Sequence, residues 1–217
     1  MHLKRNKIGK FWPIPRKGTK YLSVATHNQS ESIPLIVVMR DILNLVINKK
    51  ELKKIINDKK VQINNKEIRE TNYPVSLFDT INLPDLGKNF RATLSENQKM
   101  IFEEISGKDS NSKIFKVIGK KVLSENKIQV NLFHGKNVII KEKINTGDSI
   151  VYDFKDNKVN KIIKLEKGAN VFVIKGGHTG KKGKISEITN QGVKKIAQID
   201  LKNDKINVWT KNLIVIE

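Results

Sequence analysis

The sequence predicts an α+β protein of several small domains: a helix-rich N-terminal module, a central antiparallel β domain and a C-terminal closed β-barrel. Three observations predict it. Helical apolar spacing with capping signals is confined to residues 32–57. From about Phe90 onward short alternating apolar runs recur with turn residues between them. After Lys167-Gly168, five short strands follow in quick succession, which fits a small barrel that protects its own edges.

Taken in order, residues 1–32 read as a basic extension. His2, Lys4, Arg5, Lys7, Lys10, Arg16, Lys17 and Lys20 precede the first acidic residue, Glu31. The apolar residues are sparse apart from Phe11-Trp12-Pro13-Ile14-Pro15, where two prolines exclude a helix. Such a like-charge block is expected to order only on an anionic partner. Trp12 argues against a purely solvated tail.

Residues 33–94 read as helix, helix, hairpin, strand. Ser32 is a plausible cap, Pro34 suits a first turn, and Leu35, Met39, Ile42 and Val46 follow a helical stripe. A second helix starts at Asn48, whose spacing to Glu51 makes a capping box. It turns Leu52, Ile55 and Ile56 inward and Lys49, Lys50, Lys53 and Lys54 outward. Asn64-Asn65 marks a tight hairpin turn, since asparagine tolerates positive φ. Phe78, Ile81 and Leu83 form a further strand.

Residues 95–166 read as the central β domain, with a short helix expected around Asn97–Ile105. Its strands carry Phe115/Val117, Ile128/Val130/Leu132, Val138/Ile140, Ile150/Tyr152/Phe154 and Val159/Ile162. Thr146-Gly147-Asp148 and Asp156-Asn157 mark turns. Residues 167–217 hold the terminal strands Val171–Ile174, Lys184–Ile188, Ile196–Leu201, Ile206–Trp209 and Leu213–Ile216.

Charge sets the class of partner. Forty-two Lys and Arg stand against 22 Asp and Glu, a formal charge of +20 over 217 residues. That excess favours polyanions, above all phosphate backbones. A membrane surface fits poorly: no apolar run approaches the ~20 residues of a bilayer span, and no basic amphipathic helix carries bulky anchors. Cysteine is absent, which removes disulfides, thiolate zinc sites and cysteine nucleophiles and fits a reducing cytoplasm.

The motifs that invite catalysis fail one by one. Gly176-Gly177-His178-Thr179-Gly180-Lys181-Lys182-Gly183-Lys184 is not a P-loop, because Lys182 stands where a metal-binding hydroxyl is needed and the earlier glycines are misspaced. As a strand-connecting loop it offers Lys175, Lys181, Lys182 and Lys184 to phosphates and His178 to a base or phosphate. His2, His27, His134 and His178 are too scattered for a zinc site. No nucleophile elbow exists. Asp79 would matter in a pseudouridine synthase, but the chain has no room for that catalytic domain. No enzyme, metal or cofactor is expected. The helix pair and hairpin present Arg40, Lys53, Lys54, Lys59, Lys60, Lys66 and Arg69, which suits gripping a folded RNA by shape and backbone. A helix-turn-helix DNA reader would want Arg, Asn and Gln on its second helix, and this one is mostly lysine.

Several segments together carry a family resemblance. His2-Leu3-Lys4-Arg5, Trp12, Pro34-Leu35-Ile36-Val37-Val38-Met39-Arg40, Tyr73-Pro74-Val75, Phe78-Asp79-Thr80-Ile81, Asn89-Phe90-Arg91 and Asn170-Val171 leading to Gly176-Gly177 resemble small-subunit ribosomal protein four of the archaeal and eukaryotic type. The match runs almost end to end in the same order. It implies a helix-rich RNA-binding domain shared with tyrosyl-tRNA synthetases and pseudouridine synthases, a central β domain, and a terminal SH3-like barrel with a KOW motif. By resemblance the KOW loop lies within Val171–Ile188, with Gly180 as its characteristic glycine. Ending at Glu217 without the basic tail of eukaryotic relatives, the chain is similar to the short archaeal form. The expected role is a structural constituent of the small ribosomal subunit in the cytoplasm. Its expected partners are ribosomal RNA and neighbouring ribosomal proteins, with no membrane and no self-association. The other class considered is a free RNA-binding regulator or KOW-type elongation factor.

Overall fold

A computed structural model describes residues 2–123, 127–201 and 204–216. The chain forms two compact units, Met1–Lys113 and Ile114–Glu217. The helix-rich expectation for the first is overturned. Among the described residues, Lys49–Asn57 is the one regular α-helix longer than a single turn, and it is set among nine short strands.

The expected first helix is where the reading failed. Ser32 does not cap it: Ser32–Pro34 is a fully buried strand paired with Pro74–Ser76, and the Ser32 hydroxyl donates to the Asn28 carbonyl at 2.7 Å. Only a short helical turn, Leu35–Val37, follows, widening into a π-turn over Val38–Ile42 in which Leu43 N donates to Val38 O. Leu35 to Met39 are each at most 2% exposed. A segment buried on every side has no polar face, so its apolar run carries no true helical stripe.

The second helix matches its signals. Asn48 accepts from Glu51 N at 3.0 Å, and the Glu51 carboxylate reaches back to Ile47 N at 2.8 Å, one residue before the position a capping box usually serves. The hairpin turn holds too: Asn64 and Asn65 have φ of 51° and 60°, joining Gln62–Ile63 to Lys66–Glu67. These strands enter a five-stranded antiparallel sheet in the order Lys66–Glu67, Gln62–Ile63, Thr80–Leu83, Lys88–Leu94, Met100–Glu104. The last member is a second correction. Residues 100–104 form a strand, not a helix, with Ala92 opposite Phe102. By pairing they belong with the first unit.

Asp79 organises this unit. Phe78 before it has φ of 62°. One Asp79 oxygen accepts from Asn64 Nδ2 and the Lys113 ammonium, the other from Ser76 N, and the Lys113 and Asp79 side chains are 2% and 7% exposed. The carboxylate that would be catalytic in another protein is wholly engaged in structure here.

The second unit holds two five-stranded antiparallel sheets. The central one runs Asn137–Ile140, Ile128–Leu132, Ser112–Val122, Ser149–Asp153, Lys158–Ile163, over a core of Phe115, Val117, Val130, Leu132, Ile144, Ile150 and Tyr152. Its turns at Gly147 (φ 102°) and Asn157 (φ 54°) fall where the turn signals lie. The terminal sheet runs Lys205–Trp209, Lys194–Asp200, Lys182–Gln191, Asn170–Val173, Leu213–Val215. Its two outer strands are joined only by Thr210–Asn212. Flat, five strands would hold their edges roughly 19 Å apart, yet four residue steps span at most about 14 Å. The sheet must therefore curl, and the bulge between Ile185 and Glu187 supplies the bend.

Gly183 is required because the neighbouring strand Lys194–Asp200 passes close beside it. A Cβ there would lie 2.6 Å from the Asp200 carbonyl oxygen and 2.6 Å from Ile199 Cγ2. Gly183→Ala should cost roughly 2 kcal/mol, the scale of overpacking a closed core. A thermal melt unchanged from the parent would refute that.

Candidate nucleic-acid interface

The basic extension is ordered and belongs to the first unit. Leu3–Lys4 pairs with Tyr21–Leu22, and Arg5 closes the loop between them. Its guanidinium donates to Pro15 O at 2.7 Å, Thr19 O at 2.8 Å and Thr19 Oγ1 at 3.0 Å. Arg5 is thus a staple whose donors are turned to its own chain. Trp12 is 3% exposed, with Lys99 Nζ on its carbonyl and Met100 N on that of Phe11. It anchors the extension and offers no open ring to a base. His2, Lys4, Lys7, Lys10, Arg16, Lys17 and Lys20 remain exposed. Tyr21, absent from the sequence expectations, is 48% exposed. The His2 ring lies 5.4 Å from it and Lys20 Nζ also 5.4 Å. Its only signal was an aromatic directly after a lysine, outside any apolar alternation.

On the helix, burial of Leu52 and Ile56 turns Lys49, Lys50, Lys53 and Lys54 outward, all exposed. Other predicted cations of this module are held by acids. Arg40 forks onto Asp41 at 2.8 Å, and that hydrogen bond raises its pKa. Lys60 meets Asp85 at 2.7 Å, its pKa likewise raised by the hydrogen bond, and Lys59 meets Glu67 at 3.1 Å. Arg69 is exposed. Arg91, missed in the sequence, has its pKa lowered by burial and donates to Asp109 O at 2.7 Å, so its role is internal.

In the second unit the glycine-lysine segment is a hairpin loop joining Asn170–Val173 to Lys182–Gln191. Gly180 N donates to Val173 O at 2.9 Å and Val173 N to Lys181 O at 3.1 Å, closing its base. The Thr179 hydroxyl bonds Gly176 O at 2.7 Å across the tip. Gly180 is buried with φ of 90°, a conformation only glycine adopts freely. Lys175, Lys182 and Lys184 are exposed; His178 and Lys181 are half-buried. Alternation along the strand puts Lys182 and Lys184 on one face, with Ile185 turned into the core. One hairpin thus gathers all five predicted side chains of this loop.

Beneath the same sheet lies a buried cation. Lys116, from the central sheet, is 7% exposed and donates to Thr210 O at 2.7 Å, Lys211 O at 2.9 Å and Leu213 O at 2.6 Å. Burial lowers its pKa to about 8. It fixes the turn that closes the curled sheet.

Small antiparallel sheets whose outward cations stand on ordered loops and a helix face, with Asp79 held in a buried pair, define a basic, β-rich protein. The comparisons with known proteins narrow this class. The model described as "Ribosomal family S4e" matches residues 86–159. Small ribosomal subunit protein eS4 of Methanosphaera stadtmanae is 37% identical over 190 residues, covering 86% of this chain and 79% of that protein. Its counterpart from Nanoarchaeum equitans is 29% identical over 219 residues, covering 98% and 94%. The crystal structure of the 30S ribosomal protein S4e from Thermoplasma acidophilum shares the fold, with a TM-score of 0.74 at 23% identity, over 86% of this chain and 95% of that one. The chain belongs to the ribosomal S4e family.

Proposed function

We propose that the protein is a structural constituent of the small ribosomal subunit, bound in the cytoplasm to ribosomal RNA and to neighbouring ribosomal proteins. Kinship over most of the chain with small-subunit proteins supports the assignment. The observation that carries the RNA contact is the glycine-lysine hairpin, a loop closed by backbone hydrogen bonds that leaves Lys175, Lys182 and Lys184 exposed, as phosphate binding needs. The exposed cations of residues 2–20 and Lys53 and Lys54 make a second basic surface on the first unit. Each unit then grips backbone independently and without reading sequence.

Two measurements test this. The protein should remain on high-salt-washed small subunits at one copy each; release by moderate salt would mark it instead as a free regulator or factor. Replacing Lys181 and Lys182 together with alanine should flatten the plot of log affinity against log salt by roughly 1.5, since each lost phosphate contact removes about 0.7–0.9. An unaltered slope would take this loop off the phosphate backbone.

A further inference from the structure

The outer face of the terminal sheet carries a feature that phosphate binding leaves unexplained. Trp209 is 37% exposed, at the end of the edge strand Lys205–Trp209. Val208 and Ile206 turn inward, so the indole points away from the core. Lys211 Nζ lies 4.8 Å from the ring centroid and Lys194 Nζ 5.7 Å. Ile196, half-buried, stands opposite Trp209 across the ladder, and the polar pair Asn207 and Gln198 lies two residues further along the same face. This surface adjoins the glycine-lysine hairpin: Ile174 N, at the hairpin's start, donates to Asn212 O at 2.8 Å, three residues beyond Trp209.

We infer that Trp209 is a stacking platform for an unpaired RNA base, with Lys194 and Lys211 on the flanking phosphates. The inference rests on the RNA-binding reading and deepens it by naming the ligand as single-stranded. An aromatic face takes any base, whereas the bases of an A-form duplex stay stacked on one another. The ammonium groups do not block the site. An exposed cation–π contact is weaker than a stacked base, so a base displaces a lysine, which swings to the phosphate beside it. Asn207 and Gln198 have amides to meet a base edge. Two cations close to the ring favour an RNA occupant over a basic protein surface.

The full-length chain gives a direct readout, because its only other tryptophan is Trp12, which is buried. Subtracting the emission of a Trp209→Phe variant isolates Trp209. An eight-nucleotide oligouridylate should quench that emission, and a blunt RNA duplex bound to the same extent should not. Trp209→Ala should weaken oligouridylate binding about fivefold to a hundredfold, Trp209→Phe should restore most of it, and duplex binding should stay unchanged. Affinity for the single strand within twofold of the parent, alongside a clear loss for the Lys181/Lys182 double variant, would overturn the platform and leave the phosphate-binding loop standing. Quenching by small-subunit proteins but not by either RNA would overturn it in favour of a protein contact. No RNA binding by the parent chain would remove both readings.

Discussion

Asp79→Ala should destabilise the first unit by about 3–5 kcal/mol, the cost of leaving a buried ammonium without its counter-ion. Lys113 is almost fully buried against Asp79, and the same carboxylate holds Asn64 Nδ2 and Ser76 N. Removing it strands three donors at once, one of them on Asn64, whose backbone has positive φ, and another at Ser76, two residues before positive-φ Phe78. Asp79→Asn keeps the shape but loses the charge, so it should fall between the parent and alanine. Restoring balance with a Lys113→Met, Asp79→Leu double variant should recover much of the loss, because a packed apolar pair often replaces a buried ion pair at little cost. Equilibrium urea unfolding of the four proteins measures this. A single variant within 1 kcal/mol of the parent would show that the pair contributes nothing.

Lys116→Met should cost roughly 3 kcal/mol at neutral pH, since three carbonyls lose a shared donor. Its pH dependence has a definite sign. Burial depresses the folded pKa to about 8 from 10.5, so between those values the unfolded chain binds the extra proton. Beyond what its hydrogen bonds contribute at neutral pH, this group therefore adds stability as pH rises through that window; the increment is complete above 10.5 and is lost as pH falls through 8. The other lysines also discharge in alkali, so the quantity to read is the parent minus the variant. That difference should widen from pH 8 to pH 10 in urea unfolding. A constant difference would mean that Lys116 titrates normally.

Local signals survived into the structure where the physics is local. Asn48 and Glu51 cap a helix, and Asn64-Asn65 turns a hairpin, because each serves backbone groups within a few residues. Leu35 to Met39 misled for the opposite reason. Their surroundings are set by residues distant in sequence: the Tyr73 carbonyl accepts from Leu35 N and that of Thr71 from Ile36 N, while Pro74–Ser76 pairs with the strand just before them. Around Asn97–Ile105 the local pattern predicts a short helix, but Met100–Glu104 is a strand because its partner across the ladder, Lys88–Leu94, decides its state. In the candidate site, the loop lysines were legible as charges on a glycine hairpin. Tyr21 and Trp209 were not, because exposure of an aromatic depends on which face of a strand turns inward. Trp12 showed the same ambiguity in reverse, a ring that looked available and proved to be core.

On the proposed reading, the anchoring of Trp12 sets how the first unit would meet RNA. A basic segment that folds only on contact must lose its chain entropy at that moment, and its binding shows a large negative heat-capacity change. Here Arg5 and Trp12 have already set the backbone of residues 3–22. The positive charges arrive preorganised, so association is closer to the docking of two rigid surfaces, governed by electrostatic steering.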